Sequence, residues 1–277
     1  MTVATYTPSE TELPALVRAL ARWQREGDEF QLHPGDVGWF QRFGSDATAA
    51  ALRVWTDADR LVAIGLVDGP EVLRLAIDPE RRLDPALAVD IARDLGDAPA
   101  VELPNGAALR GVLRERGWCD DEVWSPLHRD LAEPVETSSL RIDVIDPARA
   151  HVRAAVHRAS FEGSIFTRDR WVAMALGPAY ATARCLVGVD DGESVAAVTV
   201  WSAGPGRPGL IEPLGVHRDH RGRGHGRAIT LAAASALREL GSSSAVVATP
   251  ASNAAGVAAY ESAGFVRLPQ RVDLRRG

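Results

Sequence analysis

The 277 residues include no lysine, so all 31 basic side chains are arginine. Without a lysine amine the chain cannot build a Walker-type phosphate loop, a pyridoxal Schiff base or protein-kinase chemistry. Cysteine is nearly absent as well: Cys119 and Cys185 are the only two. That is too few for a disulfide framework or a cysteine-ligated zinc site, and a reduced cytoplasmic setting is the default expectation. The first 30 residues carry Glu10, Glu12, Arg18 and Arg22 rather than the basic lead and apolar stretch of a signal peptide. No apolar run reaches the roughly 18 residues of a membrane span, so no membrane partner is expected.

What is present suits a compact protein. Hydrophobic residues make up 46% and charged residues 25% of the chain, enough for two modest cores. The net charge of −6 is unevenly spread: residues 1–139 hold 14 Arg against 25 Asp+Glu (net −11), while residues 140–277 hold 17 against 12 (net +5). The asymmetry points to an anion met by the second half, and the acidic first half argues against a broad nucleic-acid footprint.

Periodicity predicts an amphipathic helix over 13–25, a chain break at His33-Pro34-Gly35-Asp36 and a helical turn around Trp39 and Phe40. Strands follow at 51–56, 61–67 and 72–77, then a helix over 85–95, a strand at 100–103, a helix over 107–116 and strand again from 123 to 131. The polar stretch 132–139, with Pro134, reads as a linker. Beyond it the order begins again: strand 140–145, helices 147–160 and 168–176, strands 183–189, 194–201 and 210–216, helix 227–240, strand 244–248, helix 254–262 and closing strands over 265–274.

This is an internal repeat of about 140 residues. Ile77 pairs with Val216 at an offset of 139, Asn105 with Asn253 at 148, and Gly117-Trp118 with Gly264-Phe265 at 147. Nearly constant offsets favour duplication. The expected fold class is α/β (α+β), two tandem domains over 1–135 and 140–277, each a mixed, mostly antiparallel sheet flanked by helices.

The most informative stretch runs from the strand Glu212-Pro213-Leu214-Gly215-Val216 through His217-Arg218-Asp219-His220 into Arg221-Gly222-Arg223-Gly224-His225-Gly226-Arg227 and the helix behind it. Strand, glycine-rich turn and helix in succession form an anion cradle, because glycines expose backbone N–H groups and the helix N-terminus adds partial positive charge. Arg221, Arg223 and Arg227 suit a pyrophosphate or a further phosphate, and a protonated His225 could join them. The plain alternative is a solvated basic turn. His217 and His220 form a His-x-x-His pair with no nearby cysteine to complete a site, so no metal is expected.

Read with its context, the second half resembles the GNAT superfamily of acyl-CoA-dependent N-acyltransferases. The superfamily's loop motif is met by Arg221, Gly224 and Gly226, followed in order by Asn253 opening a helix, Tyr260 within it and Gly264-Phe265 opening the next strand. The resemblance covers roughly residues 140–277. It implies acetyl-CoA as cosubstrate, held by Leu214, Gly215, Val216, the turn from Arg221 to Arg227 and Asn253, and direct transfer of its acetyl group to a primary amine of a small molecule or peptide. The first half resembles the same fold in element order only. Its corresponding loop, Asp78 to Pro85, has no glycine and three acidic residues, so 1–135 is expected to bind no acyl-CoA.

Tyr260 is the candidate general acid for the departing thiolate, against the alternative of an aromatic core anchor. Glu212 stands in an otherwise apolar strand, on the face of Leu210, Leu214 and Val216 by simple alternation; desolvation there should raise its pKa towards use as a base. A structural glutamate paired with an arginine is the alternative. Pro213 cannot donate to the ladder and predicts a bulge or splay. Phe161, Glu162 and Phe166, between the first two helices of the repeat, are candidates for the acceptor, although any of the aromatics could belong to the core. A longer acyl donor and a non-enzymatic acyl-CoA sensor are the rival functional readings.

Overall fold

The structure is a computed structural model that describes residues 3–70 and 72–277. The first half runs β1 (Val3–Tyr6), α1 (Leu13–Trp23), α2 (Pro34–Phe40), α3 (Ser45–Ala51), β2 (Leu52–Asp57), β3 (Arg60–Asp68), β4 (Val72–Ile77), α4 (Pro85–Arg93), β5 (Ala100–Glu102), α5 (Ala108–Glu115) and β6 (Cys119–Asp130). The second runs β7 (Arg141–Val144), α6 (Ala150–Ser160), α7 (Arg168–Ala175), β8 (Ala183–Asp190), β9 (Glu193–Ser202), β10 (Gly209–Val216), α8 (His225–Glu239), β11 (Ser244–Pro250), α9 (Ala254–Ser262), β12 (Val266–Arg267) and β13 (Arg271–Arg275). Among the described residues the strands form one sheet in the order β1-β2-β3-β4-β5-β13-β6-β11-β10-β9-β8-β7, with β12 on β6.

The repeat is visible in the pairing. Among the described residues only β4–β5 and β10–β11 are parallel, and each pair is closed by a helical crossover, α4 in the first half and α8 in the second. The closing strands, however, are exchanged. β6 of the first half lies along the whole of β11, from Ser244 opposite Asp130 to Pro250 opposite Trp124. β13, the last strand of the chain, returns to β5 of the first half, with Leu274 opposite Val101. β6 and β13 also pair with each other, so the seam between the halves is itself sheet.

Burial follows the same plan. α4 and α5 cover one region of the sheet around Leu87, Ile91, Leu109 and Leu113, and α8 and α9 cover another around Ile229, Leu237 and Val257. The third cluster joins Leu20 and Trp23 of α1 to Ala154 of α6, Trp171 of α7 and Trp201 of β9. The two halves therefore share a core. α1 earns its place by spacing, since Leu13, Leu16, Val17, Leu20 and Trp23 fall on one buried face.

His33-Pro34-Gly35-Asp36 starts a helix where the sequence predicted a break. His33 is the N-cap, accepting from Gly35 N–H through its ring, Pro34 occupies the first turn and Asp36 reaches back to the His33 N–H at 2.6 Å. The glycines of α2 have a packing purpose. A Cβ on Gly35 or Gly38 would stand 2.5 or 2.4 Å from the Trp201 side chain, so only glycine lets this first-half helix lie against β9 of the second half.

Candidate active site

The strand β10 carries one extra residue: Ile211 pairs with Val200 but Leu214 with Val198, so three steps on β10 match two on β9. The bulge falls on Glu212 and Pro213, as the proline suggested, and Trp201 Nε1 donates to the Glu212 carbonyl at 2.6 Å. It also corrects the alternation argument. Leu214 and Val216 pack in the cluster that holds Ile211, whereas Leu210 faces the other one, because the inserted residue reverses the sides beyond it. Towards β11 the pairing stops after Leu210–Val246, so β10 and β11 splay apart.

Below the splay opens a groove of about 690 Å³, lined by Leu214, Gly215, Val216, the turn at Gly222 and Gly224, and Tyr260. Gly224 is the N-cap of α8 at φ +84°, a left-handed conformation that leaves the helix end without a side-chain cap. Free N–H groups at a helix start are an anion site. Gly215 is required by contact instead, since a Cβ there would meet Ser160 at 2.6 Å and Phe161 at 2.8 Å.

The equivalent helix start in the first half is closed by its own side chains. Asp84 caps α4 by accepting from the Ala86 and Leu87 N–H groups, and Arg81 holds Asp84 at 2.7 Å. Arg60 pairs with Asp78 and Glu80 in the same turn. Two copies of one element order thus end in a capped helix and an open one.

The three arginines of the glycine turn are placed differently from one another. Arg221 lines the groove while donating to the Ser160 carbonyl at 2.7 Å, Arg227 lines it while paired with Glu136, and Arg223 is exposed and outside the lining. His225 is buried in the groove wall, 3.6 Å from Asp190. Asn253 is the N-cap of α9, accepting from Gly256 N–H and donating to Thr249 Oγ1 at 2.9 Å.

At its inner end the groove meets a second cavity of about 490 Å³, the two sharing Phe161, Leu214, Asn253 and Tyr260. Glu212 lines this cavity with its side chain 32% exposed, and burial together with the nearby Asp36 carboxylate pushes its pKa up to about 8. Tyr260 is 7% exposed, and burial followed by the Glu212 charge holds its phenol well above the usual range, so it stays protonated at neutral pH. Phe161 stands at the junction. Glu162 and Phe166 fall in a neighbouring cleft of about 400 Å³ with Trp39 and His157, and Phe166 is a core residue at 3% exposure.

The sequence reading missed the contribution of the first half. Arg74 of β4 stands 3.9 Å from Glu212, 2.8 Å from Asp36 of α2, 3.0 Å from Glu102 of β5 and 3.5 Å from Asp68. Glu102 continues to Arg271 of β13 at 3.0 Å, and Arg271 to Asp273 at 3.6 Å. The exchanged strand thereby enters the same network. The signal for it was available, because Arg74, Glu102 and the alternation Arg271-Val272-Asp273-Leu274-Arg275 are charges set into otherwise apolar strands.

The chain belongs to the GNAT acetyltransferase family, whose acetyltransferase (GNAT) match covers residues 156–265. It is similar in particular to the mycothiol acetyltransferase of Thermobispora bispora, 31% identical over 249 residues that span 90% of this chain and 75% of that protein. Among solved structures, the GCN5-related N-acetyltransferase from Sphaerobacter thermophilus superposes with a TM-score of 0.58 at 18% identity, covering 99% of this chain and 95% of that one. A tandem GNAT protein from the clavulanic acid biosynthesis pathway gives 0.57 at 18% identity, with 98% and 97% covered. These likenesses carry the tandem, mostly antiparallel fold.

Proposed function

We propose that the protein is an acetyl-CoA-dependent N-acetyltransferase that transfers the acetyl group directly to a primary amine, with its chemistry centred on residues 140–277. The observation that carries this reading is a groove and an adjoining cavity that share Phe161, Leu214, Asn253 and Tyr260 and differ in chemistry. The groove holds the uncapped start of α8, suited to a pyrophosphate; the cavity holds a carboxyl poised near neutrality beside a protonated phenol.

In this reading the pantetheine arm adds to the splayed edge of β10, whose backbone lacks a β11 partner beyond Leu210. Backbone N–H groups of that edge polarise the thioester carbonyl. Glu212 takes a proton from the ammonium substrate, and the freed amine attacks the carbonyl carbon. The C–N bond forms, the C–S bond breaks, Tyr260 gives its proton to the departing thiolate, and the surplus proton on the new amide nitrogen returns to the tyrosinate. A base with a pKa of about 8 is well matched to an amine, and no covalent enzyme intermediate is needed.

Residues 1–135 serve this chemistry without an acyl-CoA site of their own, which the capped start of α4 supports. Their part is to wall the acceptor cavity and to set the charge around Glu212 through Arg74 and Asp36. The test is thiol release from acetyl-CoA by the full chain across a panel of primary amines, with calorimetry of acetyl-CoA alone. Amine-dependent release is expected. Tight acetyl-CoA binding with no release for any amine would replace the enzyme by an acyl-CoA sensor.

A further inference from the structure

We propose that the cavity between the halves is built for an acceptor that carries a second ammonium group besides the one that reacts, a diamine or larger polyamine. The inference rests on the N-acetyltransferase reading and names its substrate class.

The cavity floor is six consecutive strands, β4-β5-β13-β6-β11-β10, contributed by both halves. Among the described residues its lining carries six carboxylates, those of Asp68, Glu102, Asp121, Glu122, Glu212 and Asp273. Three guanidiniums oppose them, those of Arg74, Arg271 and Arg275. The cations are already committed. Arg74 is shared among Asp36, Asp68, Glu102 and Glu212, Arg271 between Glu102 and Asp273, and Arg275 holds Asp121 at 3.0 Å. One ammonium at Glu212 leaves the lining with an excess of negative charge that a second would reduce.

Asp273 marks where the second belongs. It is 5% exposed and lines the cavity; its Oδ2 accepts from Trp124 Nε1 at 2.9 Å, while its Oδ1 is buried with no hydrogen bond and only Arg271 Nε at 3.6 Å. A buried carboxylate oxygen left without a donor is costly, and a charge-assisted bond from an ammonium would satisfy it. Burial and the Glu102 charge push the Asp273 carboxyl up to about 7 against the opposing pull of Arg271. Arg271 cannot swing to help, being 2% exposed and held between the rings of Phe30 and Trp124. Glu122, exposed at the rim, adds charge on the approach to the site.

The experiment compares n-butylamine, putrescine and spermidine with the full chain by two readouts, acetyl-CoA-dependent thiol release and calorimetric binding. We expect putrescine or spermidine to exceed n-butylamine by about tenfold or more in kcat/KM and in affinity, the worth of one charge-assisted contact. Asp273→Asn, which keeps the shape and an acceptor for Trp124, should cut that ratio at least severalfold. Glu122→Gln at the rim should cut it in the same direction, which keeps the test open should the buried variant fail to fold. Equal ratios for mono- and polyamines, or a ratio untouched by both variants, would overturn the proposal while leaving the acetyltransferase reading intact. If no amine releases thiol, that reading fails instead, and tighter calorimetric binding of spermidine than of n-butylamine still decides the cavity's preference.

Discussion

Replacing Arg74 by Gln removes a guanidinium that stands 3.9 Å from Glu212, and its effect has a definite sign. The proposed base, Glu212, would work only when ionised, so activity should be present above its pKa of about 8 and be lost as pH falls through that value. Loss of a cation 3.9 Å away disfavours the carboxylate and moves the loss to higher pH. Two unit charges at that distance interact by about 4 kcal/mol at an effective dielectric of ~20, or roughly 3 pH units as a ceiling. The Glu212 side chain is 32% exposed, which screens the interaction, and we predict an upward shift of about one to two units. The assay is the pH dependence of kcat/KM for thiol release, with circular dichroism to confirm folding, because stripping a partner from a buried ion cluster costs roughly 3–5 kcal/mol of stability. Asp36→Asn supplies the opposing arm. It removes a like charge from the same network and should move the acid limb to lower pH. Limbs that stay in place in both folded variants, or move the same way, refute the claim that first-half charges set the base.

Other perturbations separate the parts of the site. Tyr260→Phe should lower kcat by about 10²–10⁴ while calorimetry finds acetyl-CoA affinity unchanged, because only the proton donor is lost. Gly224→Asp puts a carboxylate at the open start of α8 and should weaken acetyl-CoA binding by at least about tenfold in calorimetry. Gly38→Ala drives a Cβ to 2.4 Å from the Trp201 ring and should cost about 1–3 kcal/mol in chemical denaturation, with a midpoint no lower than the parent's excluding the tight α2 contact.

Much of this was legible in the residues, and the parts that were not have a common cause. β4 and α9 fall at the predicted boundaries because Val72–Ile77 is apolar up to Asp78-Pro79, and because Asn253 caps a clean helical run. The glycine turn and Tyr260 stood out in the sequence because loop chemistry is local, and in the structure they line one groove. The exchange of β6 and β13 was hidden, since alternation tells a strand which faces it shows and not which strand it will meet. From that exchange follows the rest of what was missed: Asp273 and Arg271 face the cavity only because β13 returns to β5. Glu162 and Phe166 follow α6 closely, and the turn there sets them in the cleft with Trp39 and His157. Asp36 lay inside a stretch read as a break, and the capping pattern that makes it a helix start is what aims it at Arg74.

The central claim is that Glu212 is the base of an amine acetylation, and Glu212→Gln tests it most directly. The substitution keeps size and removes the titrating group. Measured with a turned-over amine across pH 6 to 10, the parent should lose kcat/KM below a limb near pH 8, and Glu212→Gln should lose both that limb and most of the rate while binding acetyl-CoA as before. A Glu212→Gln enzyme that keeps the parent's limb and rate would contradict the account.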